Sequence, residues 1–139
     1  MTGKIAIMSP MLAGLARHAA AGLDIVQRSA FDSDAAMAAA HPDIQALVVI
    51  GGNRLAHATV EALPRLGLIC CFGVGYDGVD VAHARSRGVV VTNCPNVNNE
   101  DVADHALGIF IALVRDIVRG HARVAGGGWA QGERGGVGP

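Results

Sequence analysis

The run Ala-Leu-Val-Val-Ile at residues 46–50 is apolar without interruption and rich in β-branched side chains. Such a strand is typical of a parallel sheet that is covered on both of its faces. Similar runs recur along the chain, with helical or turn-forming sequence between them: KIAIM at 4–8, LDIVQ at 23–27, LICCF at 68–72 and VVVT at 89–92. The alternation predicts an α/β fold in which parallel strands lie between two layers of helices.

The segments between these strands carry signals for the beginning and end of helices. Four helices are predicted in this way: one from Pro10 to Gly22, one capped by Asp32 or Ser33 and running through Ala40, one over Thr59–Leu63, and one capped by Asp80 and ending at Arg87. Right-handed crossovers between the strands then give a flavodoxin-like, three-layer, five-stranded parallel sheet in the order 2-1-3-4-5.

Beyond the fifth strand the sequence changes character. Asn98 or Asn99 can cap a long helix that runs to about His121. Apolar side chains cover most of the circumference of this helix, so we expect it to be buried on more than one side. The sequence after it is rich in glycine, which indicates a linker or a frayed end. The chain is therefore predicted to have three parts: a flavodoxin-like domain over 1–98, an interdomain or dimerisation helix over 99–124 and a Gly-rich tail over 125–139.

Composition excludes several classes of function. The 139 residues include 11 basic and 12 acidic ones, a formal net charge of −1, so no global field attracts nucleic acid or an anionic membrane. Apolar residues at 51% against charged residues at 17% exclude intrinsic disorder. The three cysteines form neither a paired framework nor a metal-ligand spacing, which favours a reducing, cytoplasmic setting and no metal site. The first residues do not resemble a signal peptide, and no apolar run of about 18 residues predicts a membrane span.

The segment Gly73-Val74-Gly75-Tyr76-Asp77-Gly78 fits the pattern G-x-G-x-x-G between a predicted strand and a predicted helix. This pattern is typical of a dinucleotide-binding turn, but three observations count against that function. The segment follows the fourth strand instead of the first. The next strand ends in Asn93, where an acid would be needed to hold a ribose hydroxyl. Asp77 and Asp80 would also repel a pyrophosphate.

A smaller anion is easier to reconcile with the same segment. The backbone N–H groups of Val74 and Gly75 precede both acids and could cradle one carboxylate, since glycine lets a ligand approach the backbone closely. The turn also lies at the carboxyl end of a parallel strand, where folds of this kind bind ligands. A plain strand-to-helix turn that uses glycine for positive φ explains the spacing equally well, and both interpretations stay open.

Three blocks of sequence carry a family resemblance: GVGYDGVD at 73–80, GVVVTNCP at 88–95 and EDVADHAL at 100–107. In order and spacing they resemble the NAD(P)-dependent D-2-hydroxyacid dehydrogenases, the family that includes glyoxylate/hydroxypyruvate reductase and phosphoglycerate dehydrogenase. Leu113-Val114-Arg115 and Gly128-Trp129 continue the similarity, which covers nearly the whole chain and is most secure from about Ala46 to Trp129.

The resemblance implies the substrate-binding, flavodoxin-like domain of an oxidoreductase that passes hydride between NAD(P)H and a small 2-keto or 2-hydroxy acid. It implies that Val74 and Gly75 offer main-chain N–H groups to the substrate carboxylate and that the loop at Gly52 and Asn53 borders the same pocket. It also implies that Val102 lies near the nicotinamide. The helix over 99–121 would cross to the coenzyme domain and join a homodimer interface.

The family's dinucleotide fingerprint and its catalytic Arg, Glu and His lie downstream of residue 139. We therefore expect a substrate-domain portion without its coenzyme domain, with no catalytic residue of its own, inactive alone and binding no dinucleotide tightly. The alternative is a non-catalytic binding or dimerisation module, which the long apolar helix favours. A phospho-receiver and an FMN-binding domain share the topology, but Met8-Ser9-Pro10 provides neither the acidic pair nor the phosphate loop that these need.

Titratable side chains that could replace the missing catalytic groups mostly have structural explanations. His57 has no orienting acid near it in the sequence. His83 lies one turn from Asp80, and His105 lies four residues after Asp101, which predicts pairs on helix surfaces. For His105, a general base oriented by a carboxylate remains an alternative.

The remaining reactive or charged groups are also explained by structure. Cys70 and Cys71 fall within a predicted core strand, whereas Cys94 lies at the ligand edge of the sheet, where a redox role is an alternative. Arg115, Arg119 and Arg123 recur every four residues and predict a solvated stripe at the negative end of the helix dipole.

Overall fold

The chain's computed structural model describes residues 3–14 and 22–132. It consists of two compact units, Met1–Val97 and Asn98–Pro139. The first unit is built on one parallel sheet whose strands are β1 (Lys4–Ile7), β2 (Asp24–Gln27), β3 (Ala46–Val49), β4 (Leu68–Cys71) and β5 (Val90–Thr92). The observed order is β2-β1-β3-β4-β5, which confirms the predicted fold class.

The centre of this sheet is the most completely buried part of the first unit. Leu47 on β3 pairs with Ile69 on β4, and both side chains have no exposed surface. Ala6 on β1 is equally inaccessible, and Met37 and Ile44 cover the sheet from the segments between strands. An apolar run such as 46–50 is therefore a strand because both of its faces are removed from water, which contributes roughly 25 cal/mol per Å² of apolar surface.

Three short helices follow strands of the first unit: α1 (Asp34–Ala40), α2 (His57–Glu61) and α3 (Val81–Ser86). Two predicted caps are confirmed. The Ser33 side chain accepts a hydrogen bond from the Ala36 N–H, and the Asp80 side chain accepts one from the His83 N–H. Of the helix predicted from Pro10 to Gly22, the structure shows a 3₁₀ turn at Pro10–Leu12, and residues 15–21 lie outside the described part.

Helix α2 begins two residues earlier than the sequence predicts. The predicted span was Thr59–Leu63, but Ala56 is extended and the helix starts at His57. Leu63 lies beyond the helix in a turn, where its side chain is 1% exposed. The apolar periodicity thus predicts correctly that Leu63 is buried, but it does not predict where the helix ends.

The second unit contains two helices where the sequence predicts one that runs to about His121. Helix α4 spans Asn99–Val114 and helix α5 spans Ile117–Ala125. The prediction of a continuous helix was wrong because Asp116 adopts the left-handed conformation, with φ of 52°, and this ends the right-handed helical path. Turns follow α5 through Gly132.

Helix α4 has no buried residue and displays large apolar side chains to solvent. Leu113 is 78% exposed and Phe110 is 61% exposed. Among residues 3–14 and 22–132, no helix has the length and apolar character that crossing a membrane requires.

Candidate functional site

The loops that follow β3 and β4 are joined to each other through their backbones. The Gly78 N–H donates to the Gly51 carbonyl at 2.7 Å, and the Leu55 N–H donates to the Gly78 carbonyl at 2.9 Å. Because β3 and β4 are parallel neighbours, both loops leave the sheet at its carboxyl edge. The predicted site residues Gly52 and Asn53 are thereby brought beside the 73–78 loop.

Two glycines are required by this close approach. A Cβ atom on Gly51 would lie 1.7 Å from the Gly75 carbonyl oxygen, and one on Gly78 would lie 2.1 Å from the Asn53 carbonyl oxygen. No side chain fits at such distances. The two backbones therefore contact each other directly, and packing explains why Gly51 and Gly78 are glycines.

The segment Val74–Gly75 has its carbonyl side anchored and its N–H side open. The Asn93 side-chain amide donates to the Val74 carbonyl at 2.8 Å, and the Cys94 N–H donates to the Gly73 carbonyl at 2.9 Å. Both Val74 and Gly75 are exposed. Within the part of the chain that the structure describes, no hydrogen bond uses the backbone N–H of either residue. Two adjacent, unbonded N–H groups on a braced loop can donate hydrogen bonds to one carboxylate.

The other predicted site residues lie around this loop or in the second unit. Asn53 lines a cleft of about 440 Å³ that Met8 and Ser9 also border, and Gly52 lines a second cleft of about 770 Å³. Arg54 borders both clefts. Val74 and Gly75 lie outside the lining of both. Val102 belongs to α4 and is 56% exposed.

A cluster that the sequence did not predict lies beside the second cleft. The His57 Nε2 atom is 3.0 Å from the Asp80 Oδ2 atom, and the rings of His57 and His83 stack at 3.9 Å between centroids with 8° between their planes. The His83 Nε2 atom lies 3.8 Å from the Glu61 Oε1 atom, which is too far for a hydrogen bond. Histidine and carboxylate from two helices thus meet at one place.

This cluster corrects two expectations. His57 does have an orienting acid, Asp80, although the two lie 23 residues apart in the sequence. The ring of His83 stacks on His57, and Asp80 bonds the backbone N–H of His83 instead of its ring. The missed signal is positional: His57 stands eight residues after Val49 at the end of β3, and Asp80 stands nine after Cys71 at the end of β4. Similar spacings after neighbouring parallel strands place residues side by side.

The electrostatics of the cluster keep Asp80 ionised. The backbone N–H of His83 lowers the pKa of the Asp80 carboxyl below its ordinary value, and the His57 ring lowers it further. An ionised carboxylate can only accept hydrogen bonds, so the His57 Nε2 atom must carry the proton in this contact. Asp80 therefore fixes both the start of α3 and the tautomer of His57.

The G-x-G-x-x-G turn at Gly73–Gly78 leads into a short helix whose start carries a carboxylate, Asp80. Helix α3 has six residues, and its His83 N–H is already bonded to the Asp80 side chain. The N–H of Gly78 is bonded to Gly51. Two of the donors that a pyrophosphate could use here are therefore occupied, and the Asp80 carboxylate stands at the same helix start.

The other reactive side chains among residues 3–14 and 22–132 do not form a second candidate site. Burial raises the pKa of the Cys71 thiol, and the Cys94 thiol lies 3.9 Å from the Cys71 carbonyl oxygen. No group of three or more His, Cys, Asp or Glu side chains in these ranges can hold a metal ion. The ion pairs of this part of the chain do not include His105, so the pair expected on its helix is not observed, whereas Arg119 bonds to Asp116 at 2.6 Å.

Comparison with known proteins gives one consistent family. Residues 5–133 match the family model described as D-isomer specific 2-hydroxyacid dehydrogenase, catalytic domain. A glyoxylate reductase of Pyrococcus furiosus is 39% identical over 87 residues, which are 63% of this chain and 26% of that protein. A glyoxylate/hydroxypyruvate reductase of Arabidopsis thaliana is 40% identical over 85 residues, which are 59% of this chain and 27% of that protein.

Solved structures agree with this match. A 2-hydroxyacid dehydrogenase of Ketogulonicigenium vulgare superposes with a TM-score of 0.86 at 34% identity, over 99% of this chain and 44% of that one. An NADPH-dependent glyoxylate/hydroxypyruvate reductase of Sinorhizobium meliloti, in complex with NADP and malonate, gives 0.80 at 27% identity, over 100% of this chain and 43% of that one. The chain thus spans about a quarter of the length of these curated relatives and less than half of these solved ones. Its sheet, its loops and these matches together show that the chain belongs to the D-isomer specific 2-hydroxyacid dehydrogenase family.

Proposed function

We propose that this chain is the substrate-domain part of an oxidoreductase that transfers hydride between NAD(P)H and a small 2-keto or 2-hydroxy acid. Family membership and the glyoxylate and hydroxypyruvate reductases among its relatives support this assignment. The observation that carries it is the braced Val74–Gly75 segment: both residues are exposed, and their N–H groups make no hydrogen bond within the described chain.

The substrate carboxylate is bound by these two N–H groups. Gly75 presents no side chain, so the ligand can approach the backbone, and the adjoining loop that carries Gly52 and Asn53 lies beside it through the close approach of Gly51 to Gly75. Such N–H groups hold an anion without a formal positive charge. Binding the carboxylate here orients the keto carbon for hydride transfer, and the keto oxygen takes a proton as the hydroxyl forms.

The hydride itself is delivered by a coenzyme that this chain does not hold alone. At the Gly73–Gly78 turn the N–H groups of Gly78 and His83 are already bonded, and the Asp80 carboxylate would repel a pyrophosphate, which supports a coenzyme site elsewhere. We propose that NAD or NADP binds to a coenzyme domain that supplies the catalytic Arg, Glu and His, with Val102 near the nicotinamide. The 139-residue chain by itself is then expected to be inactive, and its three free cysteines fit a reducing cytoplasm.

We also propose that the chain forms a homodimer through α4 and α5. Exposed side chains on α4 include Leu107 at 58%, Phe110 at 61% and Leu113 at 78%. Exposed apolar side chains grouped on one helix are typical of a surface that another protein covers. A second copy of the same helix provides a matching apolar surface.

Nuclear magnetic resonance tests the carboxylate site directly on this chain. Titration with glycolate is expected to shift the amide signals of Val74 and Gly75 more than those of other residues. Ethylene glycol, which has the same hydroxyl but no carboxylate, is the matched control and is expected to shift neither. Equal responses to the two compounds, or glycolate shifts confined to other loops, would contradict the proposed site.

Hydride transfer is tested by restoring a coenzyme domain. A chimera joins this chain to the remaining sequence of the Pyrococcus furiosus glyoxylate reductase, and oxidation of NADH or NADPH is followed with a panel of 2-keto acids. We expect reduction of glyoxylate or hydroxypyruvate. A folded chimera that binds coenzyme but reduces no 2-keto acid would reject the assignment.

A non-catalytic binding or dimerisation module is the second candidate, and the exposed α4 surface favours it. The two candidates differ in the glycolate titration. A module that acts only through α4 associates with itself and leaves the Val74 and Gly75 signals unchanged by carboxylates.

A further inference from the structure

We propose that His57 and Asp80 form a clamp that holds the loop 51–56 against the loop 73–80, with the stacked ring of His83 keeping His57 in place. The loop 51–56 approaches the loop 73–80 at Gly75, so the clamp positions the N–H groups of Val74 and Gly75. This inference rests on the proposed function only in the ligand that it assigns to that site. His57, Asp80 and His83 are positioning residues, because they touch one another and no reacting group.

The first step of the argument is the series of contacts between the two loops. Gly51 contacts Gly75 backbone to backbone, the Gly78 N–H donates to the Gly51 carbonyl, and the Gly78 carbonyl accepts from the Leu55 N–H. These contacts use main-chain atoms. The side-chain contact between His57 and Asp80 comes directly after them in the sequence of both segments. The clamp thus stands at the end of a continuous junction, where it prevents the two loops from separating.

The second step is the double use of one carboxylate. The Asp80 Oδ1 atom accepts from the His83 N–H at 2.9 Å, and the Oδ2 atom lies 3.0 Å from the His57 Nε2 atom. One side chain therefore connects the first turn of α3 to the first residue of α2. Both partners are about half exposed, so solvent weakens the contact, and its role is to restrict local opening and not to stabilise the whole fold.

The third step is the stacking of the two histidine rings. Their planes are nearly parallel, and the His83 side chain is 19% exposed, so it forms a partly buried surface for the His57 ring. Stacking limits the rotation of His57 about its side-chain bonds and keeps its Nε2 atom directed at Asp80. The Glu61 carboxylate on α2 lies 3.8 Å from the His83 Nε2 atom and is a further neighbour of this ring.

Hydrogen exchange on the 139-residue chain tests the clamp without any ligand. In His57→Ala we expect the N–H groups of Gly78 and Leu55 to exchange about threefold to fivefold faster, the size that an exposed charged contact supports. The Phe72 N–H, which bonds to Val49 within the sheet, is expected to keep its rate. His57→Gln can still donate from its side-chain amide to Asp80 and is expected to restore slow exchange. His105→Ala on α4 is the matched control for loss of a surface histidine.

The tautomer of His57 gives a second measurement, which checks the contact of its Nε2 atom with Asp80. Long-range proton–nitrogen spectra of the neutral ring are expected to show the proton on Nε2. Unchanged exchange in His57→Ala, or a proton on Nδ1, would overturn the clamp.

A glycolate titration of the same variants separates this inference from the proposed function. Weaker glycolate binding in His57→Ala, restored in His57→Gln, supports both. If the unmodified chain binds no glycolate while the exchange rates change as expected and the His57 proton lies on Nε2, the clamp stands and the proposed function fails.

Discussion

Gly51 shows how one missing side chain shapes the site. Gly51→Ala would place a methyl group 1.7 Å from the Gly75 carbonyl oxygen, so one of the two loops must move. We expect a loss of about 1–3 kcal/mol in the free energy of unfolding, as for other overpacked positions. Urea denaturation measures it. Gly52→Ala is the matched control, since a Cβ there meets nothing within 4 Å, and equal stability of the two variants would contradict the close approach.

Gly75 offers a different test, because a side chain is tolerated there by the fold. A Cβ atom on Gly75 would meet only the Asp77 Oδ2 atom, at 3.5 Å, an ordinary contact. Gly75→Ala is therefore expected to keep the unfolding midpoint while weakening glycolate binding, because the new methyl group occupies the space beside the N–H. Calorimetry and urea denaturation of the same sample separate the two effects. Unchanged glycolate affinity would place the carboxylate elsewhere.

At the residue scale, the sequence predicts local features such as a helix cap better than contacts between residues that are distant in the chain. The Asp80 cap follows from local spacing, so it could be predicted. The contact of Asp80 with His57 joins residues 23 apart, and no local pattern reports it. Only the neighbouring positions of β3 and β4 make it visible, and that requires the strand order first.

The beginning of a helix depends on its capping residue, and Ser33 at the start of α1 is an example. The Ser33 Oγ atom accepts from the Ala36 N–H at 3.0 Å. Ser33→Ala leaves that N–H without its partner and is expected to cost about 1 kcal/mol in unfolding free energy. Ser33→Asp keeps an acceptor at the helix start and is expected to retain the stability. Chemical denaturation of both variants checks the assignment, and equal losses in the two would argue against a capping role.

The break between α4 and α5 shows why helix continuity was mispredicted. The apolar pattern continues past Val114 into Ile117 and Val118, and periodicity alone therefore predicts one helix. Asp116 interrupts it with a left-handed backbone and bonds its side chain to Arg119 in the next helix. Asp tolerates this conformation better than most residues because its short polar side chain bonds locally. Hydrophobic pattern does not contain that information.

At the scale of the whole molecule, paired carboxylates set the response to acid. The hydrogen bond from Lys4 lowers the pKa of Asp43 below its ordinary 3.8, and the pKa of Asp80 is lowered by its bond from the His83 N–H. A carboxyl whose pKa is lower in the folded state stabilises the fold above its unfolded pKa and loses this contribution as pH falls through the folded pKa. Unfolding midpoints in urea are therefore expected to fall below about pH 4. Asp43→Asn should make that fall shallower, and an identical pH profile would contradict the pairing.

The fold as a whole could be predicted because a parallel sheet buried on both faces imposes continuous apolar strands. Strand positions and order follow from that requirement and from right-handed crossovers. The candidate site could be predicted only in part. Val74 and Gly75 were identified from their position after β4, but the direct backbone contact of their loop with Gly51 depends on the packing of two loops that are distant in sequence.

The exposed surface of α4 leads to a prediction about association. Leu113 is 78% exposed, so replacing it does not remove a core contact. We expect the unmodified chain to rise in apparent mass from 14.2 kDa towards a dimer as its concentration increases, and Leu113→Glu to remain near 14.2 kDa, because a charge at the centre of an apolar contact must be desolvated. Light scattering after size-exclusion chromatography measures both. Arg115→Gln lies nearby and changes the net charge by the same amount, so it separates the loss of apolar surface from a change of charge. A dimer that survives Leu113→Glu would move the interface away from α4, and a monomeric unmodified chain at all concentrations would reject it.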